Sequence, residues 1–242
     1  MRPAVAVGRP AGRARGGLAP AAGRPRAAPV LLLCAALLAG CDSPTIPARV
    51  DAYPFALPGA GLVFHWEPGT RVRVHVAEEP AERAQALADA FDDAAAAWAV
   101  TAPLAEVTFS RAAASSADVV LAWSDGPFPV ETTGCPPAGS GGGATTFCLT
   151  PENDGFVPYP LSGGGASEVL FLVTISPTLS ADTVLMRRLV THEVGHALGL
   201  FQHSPNAEDL MFGGSLVADA PTDADRATFY TLYHTPSDLA GR

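Results

Sequence analysis

Lysine is absent from all 242 residues, so each of the fifteen basic side chains is an arginine. Six of them, Arg2, Arg9, Arg13, Arg15, Arg24 and Arg26, fall in the first forty residues, which hold no acid. Beyond residue 40, nine arginines face all twenty-four acids, a formal charge of −15. So acidic a chain lacks the basic surface that phosphate backbones require, which excludes nucleic acid as a partner. Long hydrophobic runs are missing too. The apolar stretch 30–39 is about half of the ~20 residues that a permanent membrane helix needs. Cysteine is scarce: Cys34, Cys41, Cys135 and Cys148 are too few for a disulfide scaffold. The length suits one sizeable domain with its own core rather than two large ones.

The first forty residues read as an export signal. A basic lead, a short apolar core and small residues before a break describe a secretory signal peptide. Its last residues, Leu38, Ala39, Gly40 and Cys41, resemble the bacterial lipobox, which implies cleavage before Cys41 and lipidation of its thiol. The alternative is an ordinary signal peptide or an uncleaved anchor. Asp42 after the lipid cysteine would, by the same resemblance, favour retention in the inner membrane. Cys34 leaves with the signal and Cys41 is the anchor, so Cys135 and Cys148 remain in the folded part. In an exported protein such a pair reads as a disulfide, with free thiols or metal ligands as the rival. The bridge would stabilise by roughly 3 kcal/mol in the chain-entropy account.

Residues 41–60 are proline-rich and without period, as expected of a tether holding a domain, 61–242, off the membrane. Alternation from Arg71 to Val76 predicts a half-buried strand, with His75 on its polar face. The alanine-rich stretch after Pro80 carries apolar residues at helical spacing, which puts Phe91 and Trp98 on a buried stripe. Strands are expected at 106–109, 118–123 and 168–175, and core roles for Trp66, Trp98 and Trp123. Between 124 and 166 the pattern gives way to glycine and proline, with a short strand at 145–149. Glu152, Asn153 and Asp154 could offer oxygens to calcium, but no EF-hand spacing supports a structural Ca2+ and a polar turn is the default. A helix through residues 181–198 follows, with N-caps on offer at Ser176, Thr178 and Ser180 and a stripe of Val184, Leu185, Leu189 and Val190. Gly199 is its natural stop.

Chemistry concentrates on that helix, in the stretch HEVGHALGLFQH from His192 to His203. His192 and His196 are four apart, so their rings project from one face and can grip one metal ion. Glu193 is rotated off the ligand line, within reach of a water at the metal. Neutral imidazoles suit zinc, which acidifies such a water to a pKa of about 7, and three protein ligands leave a fourth position open. Helix, glycine turn, third histidine and downstream Met211 together resemble the metzincin zinc peptidases, and the wording is most similar to the matrixin branch. The resemblance implies an α+β zincin-like catalytic domain: a twisted, mostly parallel mixed sheet with a long backing helix, an active-site helix and a C-terminal helix. It further implies one catalytic Zn2+ on His192, His196 and His203, Glu193 as general base and proton shuttle, and Met211 in a turn beneath the metal. Asp225 matches the acid that ties the C-terminal helix to that turn, while Ala224 replaces its usual acidic neighbour. Gly213 stands where metzincins with a tyrosine ligand carry it. No cysteine-switch motif precedes the domain.

His203 arrives one residue later than the HExxHxxGxxH spacing, and Gln202 occupies the usual ligand position. After Gly199 helical geometry no longer constrains the chain, so a loop can absorb one residue at modest cost. Residues 200–202 are therefore expected to bulge, with Gln202 aimed elsewhere. The expected function is a monomeric, lipid-anchored endopeptidase acting on proteins or peptides outside the cytoplasm. Its substrate would lie extended along an edge strand at 168–175, with a specificity pocket after Met211. The alternative is a non-catalytic, zinc-stabilised binding module of the cell envelope.

Overall fold

Val72 and Val74, flanked by Arg71 and Arg73, are fully buried and alternate with exposed neighbours, the pattern of a strand with one face in a core. A computed structural model of the protein describes residues 51–102, 104, 106–126, 142–152, 155–158 and 169–238, with the backbone alone over 150–152 and 155–158. All lie within one unit of the chain, Ile46–Arg242. The signal segment, Cys41, Cys135, Asn153 and Asp154 fall outside the described residues. Cys148 is disulfide-bonded and buried.

Seven strands are described: β1 Thr70–Val76, β2 Val107–Arg111, β3 Val119–Trp123, β4 Gly143–Phe147, β5 Leu149–Glu152, β6 Gly155–Pro158 and β7 Phe171–Ile175. Five form a sheet in the order β2-β1-β3-β7-β4. Three pairings are parallel, and β4 alone runs antiparallel, on β7. β5 and β6 make a separate antiparallel pair. The protein is thus α+β with a mostly parallel mixed sheet and, among the described residues, three α-helices: α1 Ala81–Thr101, α2 Thr183–Ala197 and α3 Asp223–Tyr233. β3 and β7 are buried along their whole length, because residues of both faces are covered. Val119, Leu121 and Trp123 face the main core, while Val120 and Ala122 join a smaller cluster with Cys148 and Leu172.

α1 lays Leu87, Ala90, Phe91, Ala94 and Trp98 into the main core, beside Met186, Val190 and Val194 of α2. Trp66, Trp98 and Trp123 are all buried. The stripe of α2 differs from the expected one: Val184 is 46% exposed and Met186 is buried instead, since the helix starts later and turns its first residues to solvent. Its cap is Asp182, whose carboxylate accepts from the Leu185 N–H at 2.9 Å, while Ser176 caps a separate short turn at Pro177–Leu179. Strand 168–175 is also placed differently. Phe171–Ile175 pairs on both sides, with β3 and β4, so the end of the sheet is β4.

Of the expected tether at 41–60, residues 41–50 lie outside the described residues, and Tyr53 in the remainder is docked on the domain. Tyr53 is buried, its N–H donates to Thr228 Oγ1 at 3.1 Å and its hydroxyl donates to Asp225 at 2.8 Å. A proline-rich segment without a hydrophobic period can still dock through one aromatic ring and its backbone, and periodicity is blind to that.

Candidate metal centre

Helix α2 follows β7 and carries His192, Glu193 and His196 to its last two turns. Its final carbonyls are satisfied from outside the helix: Trp66 Nε1 donates to Ala197 O at 2.9 Å and the Tyr233 hydroxyl to Leu198 O at 3.3 Å. Gly199 then leaves the helix at φ 107°, in the left-handed region, and a Cβ there would collide with the Phe64 carbonyl oxygen. The chain therefore turns sharply back, and His203 returns to the helix. The ligand atoms of His192, His196 and His203 all lie within 4.8 Å of one another, an arrangement able to hold a metal ion.

The chemistry of the donors fits a cation. His192 Nδ1 lies 2.7 Å from the Leu210 carbonyl and His196 Nδ1 2.5 Å from the Leu200 carbonyl. Carbonyls only accept, so both Nδ1 atoms carry the ring proton and both Nε2 atoms present lone pairs. Those two Nε2 atoms stand 3.1 Å apart. Two lone pairs at that distance repel unless a proton or a metal lies between them. Burial pushes His192 down to about 4 and His196 down to about 3, and it also lowers His203, so the rings are neutral at physiological pH. A neutral, convergent set disfavours a shared proton and favours a metal.

Glu193 is buried beside this group, and burial pushes its carboxyl up to about 7, a rise moderated by the Thr145 hydroxyl donating to Oε2 at 2.6 Å. Thr145 sits on β4, so the end strand of the sheet and α2 share this contact. An open cleft of about 370 Å³ joins Glu193, His196 and His203 to Thr145, Phe147, Phe201 and Leu57.

The turn after His203 is tied down by buried polar groups. Ser204 N donates to Met211 O at 2.8 Å, and its hydroxyl donates to Asp209, which also accepts from Thr222 Oγ1 at 2.7 Å. Asp225 is fully buried and accepts from Leu210 N, Met211 N, Thr222 N and the Tyr53 hydroxyl. Four donors thus converge on one carboxylate, which ties the turn, α3 and Tyr53 together. Met211 is fully buried in this turn, and Leu210 just before it holds His192. Gly213 lies flat against the third histidine, where a Cβ would come within 2.7 Å of His203 Nδ1. Gln202 does point away from the group: its amide donates to Ala56 O at 2.9 Å. Sequence reasoning missed Thr145 and Tyr53, which lie 48 and 172 residues from their carboxylate partners. No local pattern signals either.

No protein-family model matches the chain, and no curated protein matches it. What is shown rests on the molecule itself: an α+β mixed-sheet fold that gathers three histidines able to bind a metal.

Proposed function

We propose that the protein is a zinc-dependent endopeptidase, with His192, His196 and His203 as metal ligands and Glu193 as general base. The observation that carries this reading is the placement of two Nε2 lone pairs 3.1 Å apart, beside a buried carboxylate, in an open cleft. Ligand atoms on a tetrahedral zinc, with bonds of about 2.0–2.1 Å, lie about 3.3 Å apart, close to the 3.1 Å between the Nε2 atoms of His192 and His196. Bound zinc would supply Lewis acidity to the scissile carbonyl and make a water acidic near neutral pH. The protein's own part is proton handling. Glu193 takes a proton from the water that attacks the carbonyl carbon, and gives it to the amide nitrogen as the C–N bond breaks. The Thr145 hydroxyl holds one carboxylate oxygen, leaving the other for the reaction.

β4, at the end of the sheet and bordering the cleft, offers an edge on which an extended substrate can add as a further strand. Three protein ligands and a buried acid beside them favour catalysis over a purely structural metal, which would fill its fourth position. Metzincin membership, export and a lipid anchor on Cys41 belong to the same proposal and rest on the sequence patterns. The decisive assay incubates the zinc-loaded protein with unstructured protein substrates. Cleavage is expected, and its loss on Glu193→Ala or chelation. Activity that survives either change refutes the mechanism, and zinc bound without turnover points to the binding module.

A further inference from the structure

The three histidines are not held alike. His192 and His196 sit on a rigid helix, and each ring is pinned by a backbone carbonyl. His203 lies on an irregular segment with an exposed side chain, so its position depends on the residues to either side. On one side Ser204 is fastened to Met211 and Asp209. On the other, the fastening comes from far away in sequence: Phe201 N donates to Phe55 O at 3.1 Å and the Gln202 amide donates to Ala56 O at 2.9 Å. Residues 55 and 56 are in turn held by Tyr53, anchored on Asp225 and Thr228 of α3. The N-terminal segment is thus a strap from α3 to the rim of the cleft, where Leu57 joins the lining.

We propose that this strap is part of the metal site and that Gln202, the residue standing at the usual ligand position, is a positioning residue for His203. The extra residue lengthens the loop between Gly199 and His203 and adds backbone freedom that would spread the third ligand over many positions. The Gln202–Ala56 bond removes that freedom. The side chain there must be a donor, since a backbone carbonyl only accepts. The inference rests on the metal-site reading above.

The test is zinc affinity of the folded protein, measured by competition with a chromophoric chelator well below the unfolding temperature, for wild type, Gln202→Met, His203→Ala and the double variant. Methionine keeps the side-chain length and loses the donor. Gln202 is only partly buried, and near-ultraviolet circular dichroism checks that the variant is folded. Supporting groups around metal ligands are typically worth ~10–100-fold in affinity, and for one bond acting through the backbone we expect a loss of about tenfold. In the His203→Ala background the same substitution should change nothing further, because the residue it positions is gone. Gln202→Met binding within twofold of wild type overturns the inference. So does an equal loss with and without His203, which would mean that Gln202 acts on the site by another route. Failure of the wild type to bind zinc would overturn the endopeptidase reading instead, a result distinct from either.

Discussion

Replacing Glu193 by glutamine should make the metal-free protein more stable, and increasingly so as pH rises. The carboxyl is buried against Thr145 and titrates near 7, against 4.5 for an ordinary glutamate. As pH rises from 4.5, the unfolded chain releases this proton first while the folded protein keeps it. The stability associated with the neutral acid is therefore complete below 4.5 and is lost as pH rises through 7. At ~1.4 kcal/mol for each tenfold change, ionising the buried group costs about 3 kcal/mol. Glutamine has the shape of the neutral acid, accepts the same Thr145 hydrogen bond and never ionises. In urea denaturation with a chelator present, Glu193→Gln should exceed wild type by about 3 kcal/mol at pH 8 and by less than about 1 kcal/mol at pH 5. Restoring zinc should shrink the gain, since a dication beside the carboxylate favours its charged form. Equal stabilities at pH 8, or the same gain at both pH values, would refute the reasoning: the carboxyl would not then be held neutral by burial.

Other outcomes follow from the same geometry. Zinc at a hundredfold excess over its Kd should raise stability by about 2.7 kcal/mol in thermal or urea unfolding, and His203→Ala should remove most of that gain at the same concentration. Gly199→Ala forces a side chain into a left-handed turn already filled by the Phe64 carbonyl, and should cost about 3 kcal/mol in urea. Tyr53→Phe removes a hydroxyl donor from a fully buried carboxylate. Burial and Asp225 push the Tyr53 hydroxyl well above its ordinary value, so it remains a donor at any working pH. Its loss should cost about 2 kcal/mol in urea, and zinc affinity should fall with it as the strap loosens.

The legible parts of the sequence were those written in local periods. The stretch from His192 to His196 specifies two histidines on one helix face and an acid beside them, because a 3.6-residue turn leaves four-apart side chains no other relation. The apolar run at 171–175 and the alternation at 71–76 produce buried and half-buried strands. Less legible was which strand ends the sheet. A continuous apolar run says that a strand is buried, whereas its neighbours are chosen by packing, and β4 came from a glycine-rich stretch with no such run. The proline-rich segment 51–60 read as tether for a similar reason: its contacts are a single buried ring and a few backbone groups, none of them periodic.

The late histidine divides along the same line. From the sequence alone it follows that His192, Glu193 and His196 stand together, that the helix ends at Gly199 and that the next residues are free of helical constraint. Whether His203 or Gln202 faces the group depends on what the loop meets in space. Those partners are Ala56, Phe55, Met211 and Gly213, none within seven residues of His203 on the chain. Helix geometry is a property of neighbours in sequence and can be read from it; the aim of a loop is a property of neighbours in space, and only the tertiary structure decides it.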